Sequence, residues 1–77
     1  MAQEVRLPRL SPEMQKGIVV QWLAREGQTV AVGDPLVQIE SDKALLDLES
    51  PASGRLARIV QPKGRTVAVG ELLAVIE

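Results

Sequence analysis

Lysine is scarce in this chain. Only Lys16, Lys43 and Lys63 occur among 77 residues, and Lys43 stands in the stretch QIESDKALLDLES, residues 38 to 50. Asp42 precedes it, Ala44 follows, and short apolar segments lie on both sides, so the lysine falls at the tip of a predicted hairpin. A primary amine held there can serve as a solubilising turn residue or as the anchor of an attached group. The neighbouring carboxylates Asp42, Asp47 and Glu49 could be read as an acid–base set. Asp47 and Glu49, however, alternate with Leu46 and Leu48, the pattern of a solvated strand face rather than of a pocket. With Glu40 they contribute an acidic surface near the lysine that a partner could read through charge.

The rest of the composition restricts what the chain can do alone. There is no cysteine and no histidine, which removes thiolate chemistry, the commonest general base and the commonest metal ligand. Ten acidic and nine basic residues give a net charge of −1, with no basic footprint for nucleic acid. One aromatic residue, Trp22, offers no base-stacking platform and is expected to fill core space on a strand. No apolar run approaches the ~20 residues of a membrane-spanning helix, and the first residues lack a secretory pattern. A chain of this length buries roughly 60–65% of its unfolded surface, enough for one thin core. The expectation is a single soluble intracellular domain over residues 1–77, monomeric, whose reactive atoms come from elsewhere.

What must position Lys43 is visible as an internal repeat. EGQTVAVGDPLVQIE begins at Glu26 and KGRTVAVGELLAVIE at Lys63, an offset of 63 − 26 = 37. Gly17 and Gly54 share that offset. Two copies are too few for a solenoid, so two halves, about 1–40 and 41–77, related by an approximate two-fold axis are expected. The segments 17–25, 35–40, 44–50, 54–60 and 71–77 are rich in Val, Ile and Leu and punctuated by Gly, Pro, Asp and Ser, with Val30/Val32 and Val67/Val69 as matching apolar pairs. They predict an all-β domain of eight strands in two four-stranded antiparallel sheets, a flattened barrel or sandwich. The predicted core comprises Val5, Leu7, Val20, Trp22, Val30, Val32, Leu36, Ile39, Leu46, Leu48, Leu56, Ile59, Val67, Val69, Leu73 and Val75. The link SDKA has no counterpart in the second half, so symmetry sets it at one end of the molecule and the termini at the other. VGDP and VGEL read as tight turns; no helix follows them, as a phosphate cradle would require.

In this setting, the residues Glu40, Ser41, Asp42, Lys43 and Ala44 resemble the modification site of the lipoyl domain of dihydrolipoamide acyltransferases. Ser41 stands where that family more often has Thr. The resemblance runs nearly full length: LPRLSPEM looks like the opening of pyruvate-type members, with Glu13 in place of the commoner Thr, and VVQWLAREGQTVAVGDPLVQIESDKA and ESPASGRL follow the family in order. Lys16 and Ile18 depart from it, where acidic residues and Thr are frequent.

The resemblance implies a barrel-sandwich fold and lipoic acid in amide linkage to Nζ of Lys43, with Glu40, Ser41, Asp42 and Ala44 as the flank read by partners. Those partners would be a lipoate ligase or lipoyl transferase, a thiamine-dependent 2-oxo acid dehydrogenase, an acyltransferase catalytic domain and dihydrolipoamide dehydrogenase. No catalytic residue, metal, nucleic acid or membrane is implied for the domain itself. The parent chain is expected to be an acyltransferase, of the acetyl-transferring pyruvate type, in the bacterial cytoplasm or mitochondrial matrix. The sequence ends at Glu77 without an Ala/Pro-rich tether, which reads as one domain of a longer protein. Two alternatives share the fold. Biotin carriers present Met-Lys-Met at the tip, whereas here Asp42 and Ala44 flank the lysine and the methionines are Met1 and Met14. Unmodified interaction modules need no lysine there.

Overall fold

A computed structural model describes residues 2–77; Met1 lies outside them. Eight strands follow in order: β1 (Gln3–Arg6), β2 (Lys16–Trp22), β3 (Thr29–Val30), β4 (Pro35–Glu40), β5 (Leu45–Glu49), β6 (Gly54–Ile59), β7 (Thr66–Ala68) and β8 (Leu72–Ile76). They form two four-stranded sheets, ordered β1-β8-β6-β3 and β5-β4-β2-β7, with every pairing antiparallel.

The repeat is reproduced pair by pair. Ile18 opposes Glu40, and 37 residues later Arg55 exchanges backbone hydrogen bonds of 2.7 and 2.8 Å with Glu77. Val19 opposes Ile39 as Leu56 opposes Ile76, and both strand pairs slip register at the next residue. The outer strands obey a different offset. Val5 opposes Ala74 and Leu48 opposes Val37, so β1 and β5 are related by 48 − 5 = 43. The approximate two-fold therefore exchanges the two sheets.

The difference between 37 and 43 arises in the connections. Residues 7–15, nine in all, lead from β1 to Lys16, whereas only residues 50–52, three in all, lead from β5 to Ser53, the repeat mate of Lys16. Both links begin alike: Leu7 N–H donates to Glu71 O and Ser50 N–H to Asp34 O, at 3.1 and 2.8 Å. The longer link then continues across the second half, where Val69 N–H donates to Gln15 O at 3.0 Å.

This asymmetry corrects part of the expected core. Val69 is partly buried against the core, while its repeat mate Val32 is 66% exposed. Leu46 is 39% exposed on the edge strand β5. Val20 and Val75 are only half-buried. Val20 is the extra residue where β2 slips against β4, which breaks the simple alternation, and Val75 pairs with the slipped Arg58. Val19, Val37, Ala74, Ile76, Ala24 and Met14 are buried instead, alongside Val5, Leu7, Val30, Leu36, Ile39, Leu56, Val67 and Leu73. The fully buried aliphatic side chains each contribute ~1.5–3 kcal/mol before chain entropy is set against them.

Trp22 is half-buried, and its Nε1–H donates to Gln61 O at 2.8 Å, joining the end of β2 to the segment after β6. Ile59 N–H donates to Glu26 Oε2 at 2.7 Å in the same region. The far ends of β2 and β6 are thus linked through side-chain hydrogen bonds. Their starts lie beside Glu40 and Glu77 respectively, so the lengths of β2 and β6 separate the β4–β5 hairpin from the carboxyl-terminal residue. Trp22→Phe retains an aromatic ring but loses the indole donor. It should lower unfolding free energy by about 1 kcal/mol in chemical denaturation, with modification of Lys43 unchanged.

Candidate functional site

The tip of the β4–β5 hairpin is built from Ser41, Asp42, Lys43 and Ala44. Glu40 still opposes Leu45 in the ladder, and Ser41 N–H donates to Ala44 O at 2.8 Å, so Asp42 and Lys43 form the two-residue turn. No non-glycine residue among those described has a positive φ. The turn is therefore not of the mirror-image types favoured in hairpins, and needs neither glycine nor asparagine. The turn is tied by Ser41, whose Oγ also donates to Ala44 O at 3.3 Å.

Lys43 projects from this turn with its side chain 78% exposed. Its Nζ lies 3.6 Å from Glu13 Oε2, itself 83% exposed, a contact that is long and screened. Glu13 reaches the tip because the nine-residue link folds back on itself. Met14 is buried as its anchor, Met14 N–H donates to Ser11 O at 3.1 Å, and Arg9 Nη1 donates to Met14 O at 2.6 Å. A small cleft lies between link and hairpin, lined by Ser11, Glu13, Met14, Lys16, Asp42 and Lys43 among others. Met14 is thus close to the tip in space, but its side chain belongs to the core rather than flanking the lysine.

The structure brings Glu40, Ser41, Asp42, Lys43 and Ala44 together simply as consecutive hairpin residues, all but the half-buried Ser41 exposed. Sequence reasoning missed Glu13. The available signal was the extra length of the segment before Lys16 relative to its repeat mate. Asp47 takes part in a polar ladder across the outer sheet face, accepting from Gln38 Nε2 at 3.3 Å, while Gln38 Oε1 lies 3.4 Å from Gln21 Nε2. Glu49 is exposed, and no group of metal-binding side chains occurs among the described residues. The carboxylates form a solvated face, not an acid–base pocket. What the tip can do chemically is present one amine, on a firmly tied turn, to an external enzyme. An amide-linked arm fits there, since the Lys43 side chain is open to solvent for most of its surface.

Comparison with known proteins agrees with this geometry. The biotin/lipoyl family, described as "Biotin-requiring enzyme", matches residues 3–76. The dihydrolipoyllysine-residue acetyltransferase component of the pyruvate dehydrogenase complex of Zymomonas mobilis is 43% identical over 77 residues, covering 99% of this chain and 18% of that protein. The chain spans less than a fifth of the length of that relative. Among solved structures, the lipoyl domain of the 2-oxoglutarate dehydrogenase complex from Azotobacter vinelandii superposes with a TM-score of 0.78 at 31% identity, covering 96% of this chain and 94% of that one. Urea carboxylase from Kluyveromyces lactis gives 0.84 at 26% identity, over 100% of this chain and 6% of that one. The chain belongs to the biotin/lipoyl domain family and is similar in sequence to part of the dihydrolipoyllysine-residue acetyltransferase components of pyruvate dehydrogenase complexes.

Proposed function

We propose that this domain carries a lipoyl group in amide linkage to Nζ of Lys43 and moves acyl groups between active sites of a 2-oxo acid dehydrogenase complex, the pyruvate complex foremost. The observation that carries this reading is Lys43 itself, exposed at a tied two-residue turn at the end of the molecule remote from the termini, between Asp42 and Ala44. A lipoyl group supplies a dithiolane that accepts an acyl group as its disulfide is reduced, chemistry that this chain has no side chain to perform.

The residues of the chain orient and present. Ser41 holds the turn, so that the direction in which Lys43 leaves the surface is fixed by backbone. Amide formation removes the lysine charge and with it the contact to Glu13, leaving the arm without an ionic tether to the domain surface. The absence of cysteine leaves no protein thiolate to exchange with the dithiolane or intercept its thioester. A domain tethered at the opposite end raises the concentration of its arm at each active site to roughly millimolar for a short flexible linker. On this reading the partners are a lipoate ligase or lipoyl transferase, the thiamine-dependent dehydrogenase, an acyltransferase catalytic domain and dihydrolipoamide dehydrogenase, in the bacterial cytoplasm or mitochondrial matrix.

The fold alone does not choose between carriers, since the chain superposes on urea carboxylase and on the lipoyl domain alike. The flank favours lipoate, since Asp42 and Ala44 occupy the positions where biotin carriers have methionine. Presented with lipoate ligase and biotin ligase in parallel, the domain should gain one lipoyl group on Lys43 and essentially no biotin. Efficient biotinylation, located by peptide mapping, would overturn the reading.

A further inference from the structure

Lys16 and Lys43 line one small cleft between the nine-residue link and the β4–β5 hairpin, together with Glu13, Met14 and Asp42. Burial along β2 alternates from its first residue, with Lys16 and Ile18 exposed and Gly17 buried, so Lys16 stands on the outer face of the sheet. Gly17 packs against the end of β4, where a Cβ would lie 3.4 Å from Glu40 O. Continued two residues past the pair Ile18–Glu40, the antiparallel register sets Lys16 level with Asp42, ~5 Å across the ladder and one residue from Lys43. A second groove, lined by Lys16, Glu40 and Asp42 among others, repeats that proximity. Lys16 takes part in neither of the two ion pairs found among the described residues.

An exposed lysine needs no explanation by itself. The repeat mate of Lys16 is Ser53, so the fold accepts a hydroxyl in the same place and does not require an amine there. The amine also lies within reach of anything carried on Lys43. A lysine side chain and a lipoyl chain together make about a dozen bonds, roughly 14 Å when extended at ~1.2 Å per bond. That exceeds the separation of the two lysines along the hairpin, so the end of the arm passes over Lys16. An arm of this length, shorter than an interdomain linker, holds its load near Lys16 above the roughly millimolar concentration that a short flexible linker gives. The chain has no thiol or imidazole to intercept that load first. Lys63 is worse placed: Gly64 beside it donates to Val19 O, ~10 Å further along β2 than Lys16.

We propose that Lys16 is a self-acylation site, whose Nζ takes the acyl group from the thioester on the Lys43 arm when that group is not passed on. The inference rests on the carrier reading above. Nζ of Lys16, as the neutral amine, attacks the acyl carbon. The C–N bond forms as the C–S bond breaks, and the electron pair of the broken bond stays on sulfur. Counted from the ammonium form, one proton goes to the departing sulfur, which becomes a thiol, and one goes to solvent. No oxidant or reductant takes part. The product is an uncharged N-acyl lysine beside an emptied dithiol arm, and the acyl group is lost to coenzyme A. Lys16 acylation therefore accumulates when coenzyme A is scarce and the acyl group dwells on the arm.

The test charges the lipoylated domain with the 2-oxo acid dehydrogenase and carbon-13-labelled pyruvate, with coenzyme A omitted. Intact mass first verifies the lipoyl group and the labelled acetyl group on the chain. Hydroxylamine, which cleaves thioesters and spares amides, then separates label on the arm from label on nitrogen, and peptide mapping locates the latter. Label should pass to Lys16 at a rate unchanged by dilution of the domain and at least ~10-fold faster than to Lys63, as an intramolecular transfer requires. Lys16→Arg, which keeps the charge without the nucleophile, should load its arm equally and keep all its label labile to hydroxylamine. An unlipoylated chain marked with nitrogen-15 and mixed in should stay free of label. Equal label on Lys16 and Lys63, label on the unlipoylated chain, or label in the parent that stays labile until hydrolysis removes it overturns the inference and leaves the carrier reading intact. A parent domain that takes no lipoate, or no acetyl group once lipoylated, removes the carrier reading and this inference with it.

Discussion

Exchanging two neighbours, Asp42→Lys with Lys43→Asp, should leave the domain folded and abolish its lipoylation. The exchange preserves composition and net charge. Both residues are exposed, and the turn is tied by Ser41 and Ala44, which are untouched. Substitution at such positions costs within ~0.5 kcal/mol. The contact between Lys43 and Glu13 is lost, but with side chains 78% and 83% exposed it contributes little. The function is expected to respond very differently. Successive side chains in a hairpin leave in different directions, so a displacement of one residue re-aims the amine completely. Mass spectrometry of the exchanged domain after treatment with lipoate ligase should find the unmodified mass, and Lys16 and Lys63 should be unmodified in both versions. Equal lipoylation of parent and exchanged domains would mean that the turn does not select the lysine.

The largest expected effect on stability lies at the other end of the molecule. A Cβ at Gly54 would overlap the carbonyl oxygen of Glu77 and approach Ile76 Cγ2 to 3.0 Å, at a backbone φ of +156°. Relief requires moving backbone that is hydrogen-bonded on both sides of Arg55 and Glu77. Gly17, its repeat mate, is less constrained. A Cβ there meets Ile39 Cγ2 at 2.8 Å and Met14 Cε at 3.3 Å, and the methionine side chain can yield. Overpacking alone costs ~1–3 kcal/mol, and backbone strain adds a similar amount at Gly54. Gly54→Ala should therefore cost about 3–5 kcal/mol and Gly17→Ala about 1–3 kcal/mol, read from denaturant midpoints at unchanged slope. For a domain of this size, the former is a large share of the total stability. A smaller loss for Gly54→Ala than for Gly17→Ala would contradict the packing described.

Much of this architecture was legible in the chain. The 37-residue offset implied the two-fold, and the run PLVQIE coincides with β4 from Pro35 to Glu40 because Asp34 and Ser41 punctuate it cleanly. The two register slips were not legible. They follow from how β2 meets β4 and β6 meets β8, and they move burial off strict alternation, so that Val19 and Ile76 are interior while Val20 and Val75 are only half-covered. Exposure of Val32 was hidden for another reason. The run TVAVG occurs around both valines, and the two differ in the link they meet: Val69 N–H donates to Gln15 O in the nine-residue link, Val32 N–H to Ser53 Oγ in the short one.

The site divides the same way. Lys43 and its flank are contiguous, so a one-dimensional reading finds them. Glu13 is thirty residues away and reaches the tip only through the fold of residues 7–15, anchored by burial of Met14.

The most direct test of the carrier reading is the intact mass and peptide map of this domain after co-expression with lipoate ligase and a supply of lipoate. The account predicts the mass of one lipoyl group per chain, located entirely on Lys43. An unmodified chain under conditions that lipoylate a known acceptor domain, or an adduct located on Lys16 or Lys63, would contradict it.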